Sequence, residues 1–261
     1  MARVKSIAVA GKGGVGKTTF TALLLKYLVH MKYLTHMKKP TSILAVDADP
    51  NANLGEALGL SFETTVSQLL DETKDPKAIP QGMTKDIFVE YRLQQCLTES
   101  EHIDLLVMGG PQGAGCYCYP NDLLCKHLLA IGGAYDYVIV DSEAGLEHLS
   151  RRTVPEMDEM FVISDASVRG VRSAGRVYEL IRSIKTPVKS VYLVLSKTTE
   201  GSLASLSPEI ESTGLTLLGS IPLDPLVVEY DLAGKPLYNL PENAPSVQAI
   251  AGIFRESGIF D

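Results

Sequence analysis

The chain has 261 residues, 45% hydrophobic and 21% charged, with a net charge of −7, which is the balance of a globular protein long enough to bury a core without staples. Four cysteines are too few for a disulfide framework, and the acidic balance argues against a nucleic-acid partner, whose phosphates require clustered Lys and Arg. No apolar run approaches the roughly 18–20 residues of a membrane span and no signal peptide opens the chain, so the expectation is a cytoplasmic protein with reduced thiols and no membrane partner.

Taken in chain order, short runs rich in Val, Ile and Leu recur as "KSIAVAG", "TSILAVDAD", "IDLLVMGG", "YDYVIVDS", "MFVISDA", "SVYLVLSK" and "LTLLGSIP". Unbroken apolar runs of this length suit strands buried on both faces of a parallel sheet. Between them lie helical patterns such as "TTFTALLLKYLVHM" and "GVRSAGRVYELIRSI". The alternation predicts an α/β fold, a doubly wound, mostly parallel sheet flanked by helices. With no internal repeat and no low-complexity linker, one domain over residues 1–261 is the expected organisation. The basic run "HMKYLTHMKKP" is short and interrupted by apolar residues, and reads as a solvated helix end. In the tail "PSVQAIAGIFRESGIFD" the apolar spacing is amphipathic but Arg255 is the only basic residue, so a core-packing helix is expected rather than a membrane anchor.

Several strands end in glycine or a polar residue: Gly11, Asp47 to Asp49, Gly109 to Gly110, Asp141 and Ser196. In open parallel sheets ligands bind beyond the carboxyl ends of the strands, which places these residues on one edge of the molecule. The most specific stretch there is "GKGGVGKTT", Gly11 to Thr19, which fits G-x-x-x-x-G-K-[ST] between a strand and a helix. Gly11, Gly13, Gly14 and Gly16 let backbone N–H groups turn around phosphate oxygens, with Lys12, Val15 and Thr19 completing the loop. Lys17 is expected on the β- and γ-phosphates of ATP, and the Thr18 hydroxyl on Mg²⁺. The strand-end aspartates carry two readings when taken singly, as helix N-caps or as nucleotide-site acids.

The early lysine in "KGGVGKT" resembles the deviant Walker A motif of the MinD, ParA and nitrogenase-iron-protein class of P-loop ATPases. The resemblance implies a homodimer that sandwiches two nucleotides, with Lys12 reaching the partner's ATP, where a cation stabilises charge on the transferring phosphoryl group. "VDADPNANLG" is similar to the class's switch I, which implies that Asp49 orients the attacking water and that Asp47 supports it or a metal-bound water. "YVIVDSEAGLEHL" is similar to the Walker B strand and switch II, which implies Asp141 on the Mg²⁺ through water and the Gly145 N–H on the γ-phosphate. The class carries an asparagine after a late strand to read the adenine edge; here Ser196 and Lys197 stand at that place, and a serine reaches less far than an amide. The later loop "SIPLDPLVVEYDLAGKPL" occupies the position of a second base-contacting segment.

Within that class the narrower likeness rests on "CYCYPND" together with "DADPNANLGEALGL" and "AGLEHLSRRT", which resemble the CooC-type nickel-insertion ATPases, accessory proteins of carbon monoxide dehydrogenase with relatives acting on acetyl-CoA synthase. By residue type alone Cys116 and Cys118 are a redox couple, half a metal site, or two ordinary loop thiols. Residues i and i+2 of an extended segment point the same way, so the pair can face one metal. A two-fold dimer would complete a Cys₄ set for Ni²⁺ or Zn²⁺. The resemblance implies an ATP-dependent metallochaperone that inserts nickel into such a client. Two other functions stay open, a non-metal MinD/ParA-like switch acting on a protein partner and an iron–sulfur carrier; nitrogenase-type electron transfer is set aside because "DSEAGLEH" contains no cysteine. Cys96 and Cys125 read as core residues on helix faces, with Cys125 still open as a third ligand. His30 and His36 do not share a helix face, and they, His127 and His148 read as surface or structural.

Overall fold

The computed structural model describes residues 4–34, 42–73, 76–110, 131–142, 157–183 and 188–260. Along the chain these form β1 (Lys5–Gly11), α1 (Lys17–Leu34), β2 (Ile43–Ala48), α2 (Leu54–Leu58), α3 (Val66–Glu72), α4 (Lys85–Gln95), β3 (Leu97–Thr98), β4 (Ile103–Val107), β5 (Tyr137–Ser142), β6 (Met157–Asp165), α5 (Val168–Ser183), β7 (Val188–Thr198), α6 (Ser202–Thr213), β8 (Thr216–Pro222), α7 (Pro225–Leu232) and α8 (Pro245–Ser257). The strands make one eight-stranded sheet in the order β3-β4-β2-β5-β1-β6-β7-β8. All neighbours are parallel except β3, which runs antiparallel to β4. The expected doubly wound sheet is therefore present, and the seven apolar runs are its seven parallel strands. The two-residue β3 was not foreseen: a strand that short carries no periodicity, and it follows directly on α4, whose C-cap is Cys96.

Because side chains alternate along a strand, each central strand feeds two cores. Ile7, Val9, Ile43, Ala45, Ile139, Phe161 and Ile163 face α1, α2 and α8, while Ala8, Ala10, Leu44, Val46, Val140 and Val162 face α3 to α6. Burial on both sides explains the unbroken apolar runs. Helix α1 is enclosed nearly all round between Phe20 and Val29, with only Lys26 partly exposed in that stretch. Thr65 starts α3 with a reciprocal capping box to Gln68.

The tail is a core element, as its spacing predicts. Phe254 of α8 is 1% exposed. Its ring lies 5.4 Å from Phe161, 5.5 Å from Tyr27 and 4.9 Å from Phe260. Cys96 is likewise buried in the opposite core. Among the described residues, no helix is long and apolar enough to cross a membrane. Removing the Phe254 ring leaves a cavity at the junction of α1, α8 and β6, so Phe254→Ala should cost about 3–5 kcal/mol, read as a lowered midpoint in urea unfolding followed by circular dichroism.

Candidate nucleotide site

The site is assembled by strand register. Asp141 of β5 is paired with Asp47 of β2 on one side and with Val9 of β1 on the other. The phosphate loop begins at the end of β1 and runs into α1 at Lys17. Gly11 ends β1 at φ 147°, and a Cβ placed there would stand 2.3 Å from the Ile163 carbonyl oxygen of β6. Only glycine fits that close approach. Gly14 and Gly16 also take positive φ, 78° and 91°, which turns the backbone around the loop.

The loop's side chains point into a defined network. Thr18 Oγ1 donates to Asp141 Oδ2 at 2.6 Å. Lys17 is 7% exposed and its Nζ is 3.4 Å from the Lys12 carbonyl oxygen. Lys12 itself is exposed, and its ammonium has no partner among the described residues. Asp141 Oδ1 is buried and has no hydrogen-bond partner among the described residues. A buried carboxylate oxygen left open beside a hydroxyl is a donor set that fits a hydrated divalent cation of the Mg²⁺ type. Burial pushes the Asp141 carboxyl up to about 6, against the pull of the Thr18 hydroxyl and the Lys17 charge. A cation would favour its ionised form.

Asp47 has a different position from Asp49. It is fully buried; its Oδ1 accepts from the Asp49 N–H at 3.1 Å and its Oδ2 from the Leu54 N–H at 2.8 Å. Both oxygens are thus engaged in shaping the turn between β2 and α2. The N-cap meaning and the site meaning of this aspartate coincide: it ties down the segment that carries Asp49. Asp49 is partly exposed and lines the cleft, with Oδ1 accepting from the backbone and side-chain amides of Asn51 at 2.9 and 2.8 Å.

A cleft of about 1260 Å³ opens above the loop. Small-molecule sites typically occupy roughly 300–1,000 Å³, so it has room for a nucleotide triphosphate. Lys17, Thr18 and Asp49 line one part of it, and Lys197, Leu223 and Val228 another. The loop after β8 therefore does border the cleft, but its acid is occupied: Asp224 is 3% exposed, with Oδ1 accepting from the Leu226 N–H and Oδ2 from the Ser246 N–H and hydroxyl. Ser196 also lines the cleft, and its hydroxyl donates to the Val15 carbonyl of the phosphate loop at 2.5 Å. The Asp224 cap on Leu226 is a local event, but its bond to Ser246 and the Ser196 bond to Val15 were not legible from local sequence, because those partners lie 22 and 181 positions away.

Gly11, Lys12, Gly13, Gly14, Val15, Gly16, Lys17, Thr18, Thr19, Asp47, Asp49 and Asp141 are thus gathered at the carboxyl edge of the sheet. Gly145, Cys116, Cys118 and Cys125 lie outside the described residues, as do His36, His127 and His148. Among the described residues no group of His, Cys, Asp and Glu is arranged to hold a metal through side chains alone. His30 lies on α1, exposed and away from the phosphate loop.

A glycine loop that opens a helix at the carboxyl edge of a parallel sheet, with a strand-end aspartate on its Thr, defines a P-loop nucleotide-binding protein. Residues 6–237 match the CobQ/CobB/MinD/ParA nucleotide binding domain, and the chain belongs to that family. It is 44% identical over 240 residues to an uncharacterized ATP-binding protein of Methanocaldococcus jannaschii, covering 91% of this chain and 92% of the relative. It is 28% identical over 250 residues to the carbon monoxide dehydrogenase accessory protein CooC of Rhodospirillum rubrum, covering 90% and 89%. Among solved structures, MinD of Aquifex aeolicus superposes with a TM-score of 0.69 at 22% identity, over 98% of this chain and 97% of that one. MinD of Pyrococcus horikoshii complexed with Mg-ADP superposes at 0.67 and 20% identity, over 98% and 97%. These two structural likenesses carry the fold.

Burial holds the Asp47 carboxyl up near 7, far above its usual 3.8. A carboxyl whose folded pKa is raised binds its proton more tightly in the folded state than in the unfolded one. Its contribution to stability is therefore greatest at the acid end and falls as pH rises from about 4 to about 7, then levels off. In nucleotide-free protein, the stability difference between Asp47→Asn and wild type should accordingly move in the variant's favour across that window, as measured by urea unfolding at each pH.

Proposed function

We propose that the protein is a homodimeric, Mg-dependent ATPase of the cytoplasm that carries nickel, or zinc in vitro, at Cys116 and Cys118 and couples ATP hydrolysis to nickel insertion into a client such as carbon monoxide dehydrogenase or acetyl-CoA synthase. The observation that carries the metal part is the C-x-C pair in a chain that matches CooC over nine-tenths of its length. Support for the ATPase part comes from the Thr18–Asp141 bond, the open Asp141 oxygen and Asp49 at the cleft.

In this reading the loop amides and Lys17 hold the phosphate chain. The Thr18 hydroxyl and the open Asp141 oxygen would hold hydrated Mg²⁺, which would supply positive charge against the phosphates. Asp49 orients the attacking water, and Asp47 holds Asp49 in place through its backbone N–H. Lys12, exposed and without a partner among the described residues, is free to reach a nucleotide held by a second copy. Gly145 would report the γ-phosphate to switch II.

The metal site is completed by symmetry. Two thiolates are half of a four-coordinate set, and a two-fold axis supplies the other half from the same residues of the partner. β4 ends at Val107 on the carboxyl edge of the sheet, the edge that carries the phosphate loop. In this reading the nucleotide state alters the geometry of the cargo metal across the dimer.

Titration with Ni²⁺ and Zn²⁺, with and without ATP, should give about one metal per two chains, and Cys116→Ser/Cys118→Ser should abolish it. Unchanged metal binding in the double variant would leave a MinD/ParA-like switch as the function, and visible absorbance after anaerobic purification would mark an iron–sulfur carrier. Lys12→Ala should weaken ATP-dependent dimerisation, followed by light scattering, more than it weakens ATP binding to the monomer; equal losses would remove the role of this lysine across the interface.

A further inference from the structure

Two consecutive carbonyl groups of the phosphate loop accept hydrogen bonds from the end of β7. Ser196 Oγ donates to the Val15 oxygen at 2.5 Å and also lies 3.2 Å from the Ser164 oxygen. Lys197 Nζ donates to the Gly14 oxygen at 2.9 Å. The hydroxyl's one proton is committed to backbone oxygens, so Ser196 could meet a base edge only as an acceptor.

The geometry of the peptide plane gives this grip a consequence. In a trans peptide the C=O of one residue and the N–H of the next point in opposite directions. Drawing the Gly14 and Val15 oxygens toward β7 therefore turns the N–H groups of Val15 and Gly16 the other way, into the loop. A phosphate loop needs its donors aimed inward before the anion arrives, since reorienting them on binding would cost affinity.

Lys197 bears a mark of that task in its own backbone. Its φ is 55°, in the left-handed region that a side chain with a Cβ adopts rarely. Lys197 and Ala52 are the residues other than glycine with positive φ among the described residues, and backbone strain of this kind collects at functional sites. The strained turn lets successive residues of one strand end, Ser196 and Lys197, both bond to the loop.

We propose that Ser196 and Lys197 are positioning residues for the phosphate chain, aiming the Val15 and Gly16 amides, rather than readers of the base. The inference rests on the reading of Gly11–Thr19 as a nucleotide phosphate site, and it assigns the end of β7 to phosphate affinity at the place where the family resemblance implies an adenine contact.

The test is calorimetric binding of Mg-ATP, Mg-GTP and inorganic tripolyphosphate to wild type, Ser196→Ala, Lys197→Met, Lys197→Gly and Lys197→Arg. Lys197→Gly removes the ammonium while relieving the positive φ, which offsets the lost hydrogen bond, so its thermal stability should stay close to that of wild type. That variant therefore separates loss of the grip from loss of fold. Lys197→Met and Lys197→Gly should each bind all three ligands about tenfold more weakly, because the loop amides must then be oriented at the expense of binding free energy. Ser196→Ala should weaken all three in the same direction, and Lys197→Arg should recover part of the loss. The wild-type ratio of ATP to GTP affinity should be unchanged throughout. A loss confined to one nucleotide, with tripolyphosphate binding intact, would make these residues base readers and overturn the proposal, as would wild-type affinity for all three ligands in Lys197→Gly. Failure of wild type to bind any of the three would overturn the phosphate-site reading itself.

Discussion

The ladder between β2, β5 and β1 is the constraint on which the rest of the site depends. Asp141 stands opposite Asp47 across one set of hydrogen bonds and opposite Val9 across the next. A slip of one residue in either pairing would turn Asp141 into the wrong core and take its oxygen away from Thr18. The register is held because every strand involved is buried on both faces, so any slip would exchange the two apolar sets for one another at a cost in packing.

That ladder also explains why two carboxyl groups with raised pKa values share one small volume. Desolvation is the largest cause for both Asp47 and Asp141, and the Asp141 charge adds to the shift of Asp47. Their hydrogen bonding separates their tasks. Asp47 has both oxygens bound to backbone N–H groups and shapes a turn; Asp141 keeps one buried oxygen without a partner among the described residues, where a cation would be held. Two residues of one type, three strands apart in the chain and adjacent in the sheet, thereby serve structure and ligand binding respectively.

The cleft is built in the same way, with the sheet edge as its floor and long-range contacts as its walls. Asp224 joins the first turns of α7 and α8 through three hydrogen bonds, fixing the wall that faces the phosphate loop. Phe254 in α8 then anchors that wall to α1 and β6 through its ring contacts. Stability at the tail and geometry at the site are connected through one helix.

Much of this was legible in the residues themselves. The seven parallel strands, the phosphate loop and the strand-end aspartates are each written in a contiguous stretch, because an apolar run, a glycine-rich turn and a helix start are local events. The short β3 was not, since two residues have no period and their place at the sheet edge comes from pairing with Leu105 and Leu106. Ser196 and Lys197 were legible only as residues beside the nucleotide.

What the sequence determined by itself was the class of fold, the edge where ligands bind and the loop that takes the phosphates. What only the tertiary structure decided was which side chains at that edge remain open to a ligand. Ser196 and Asp47 stand at strand ends as polar candidates and Asp224 lies just beyond β8, yet each has its proton or its oxygens engaged by backbone groups. The partner of Ser196 lies 181 positions away in the chain. A hydrogen bond consumes a donor wherever the fold brings an acceptor, and no spacing along a chain records that encounter.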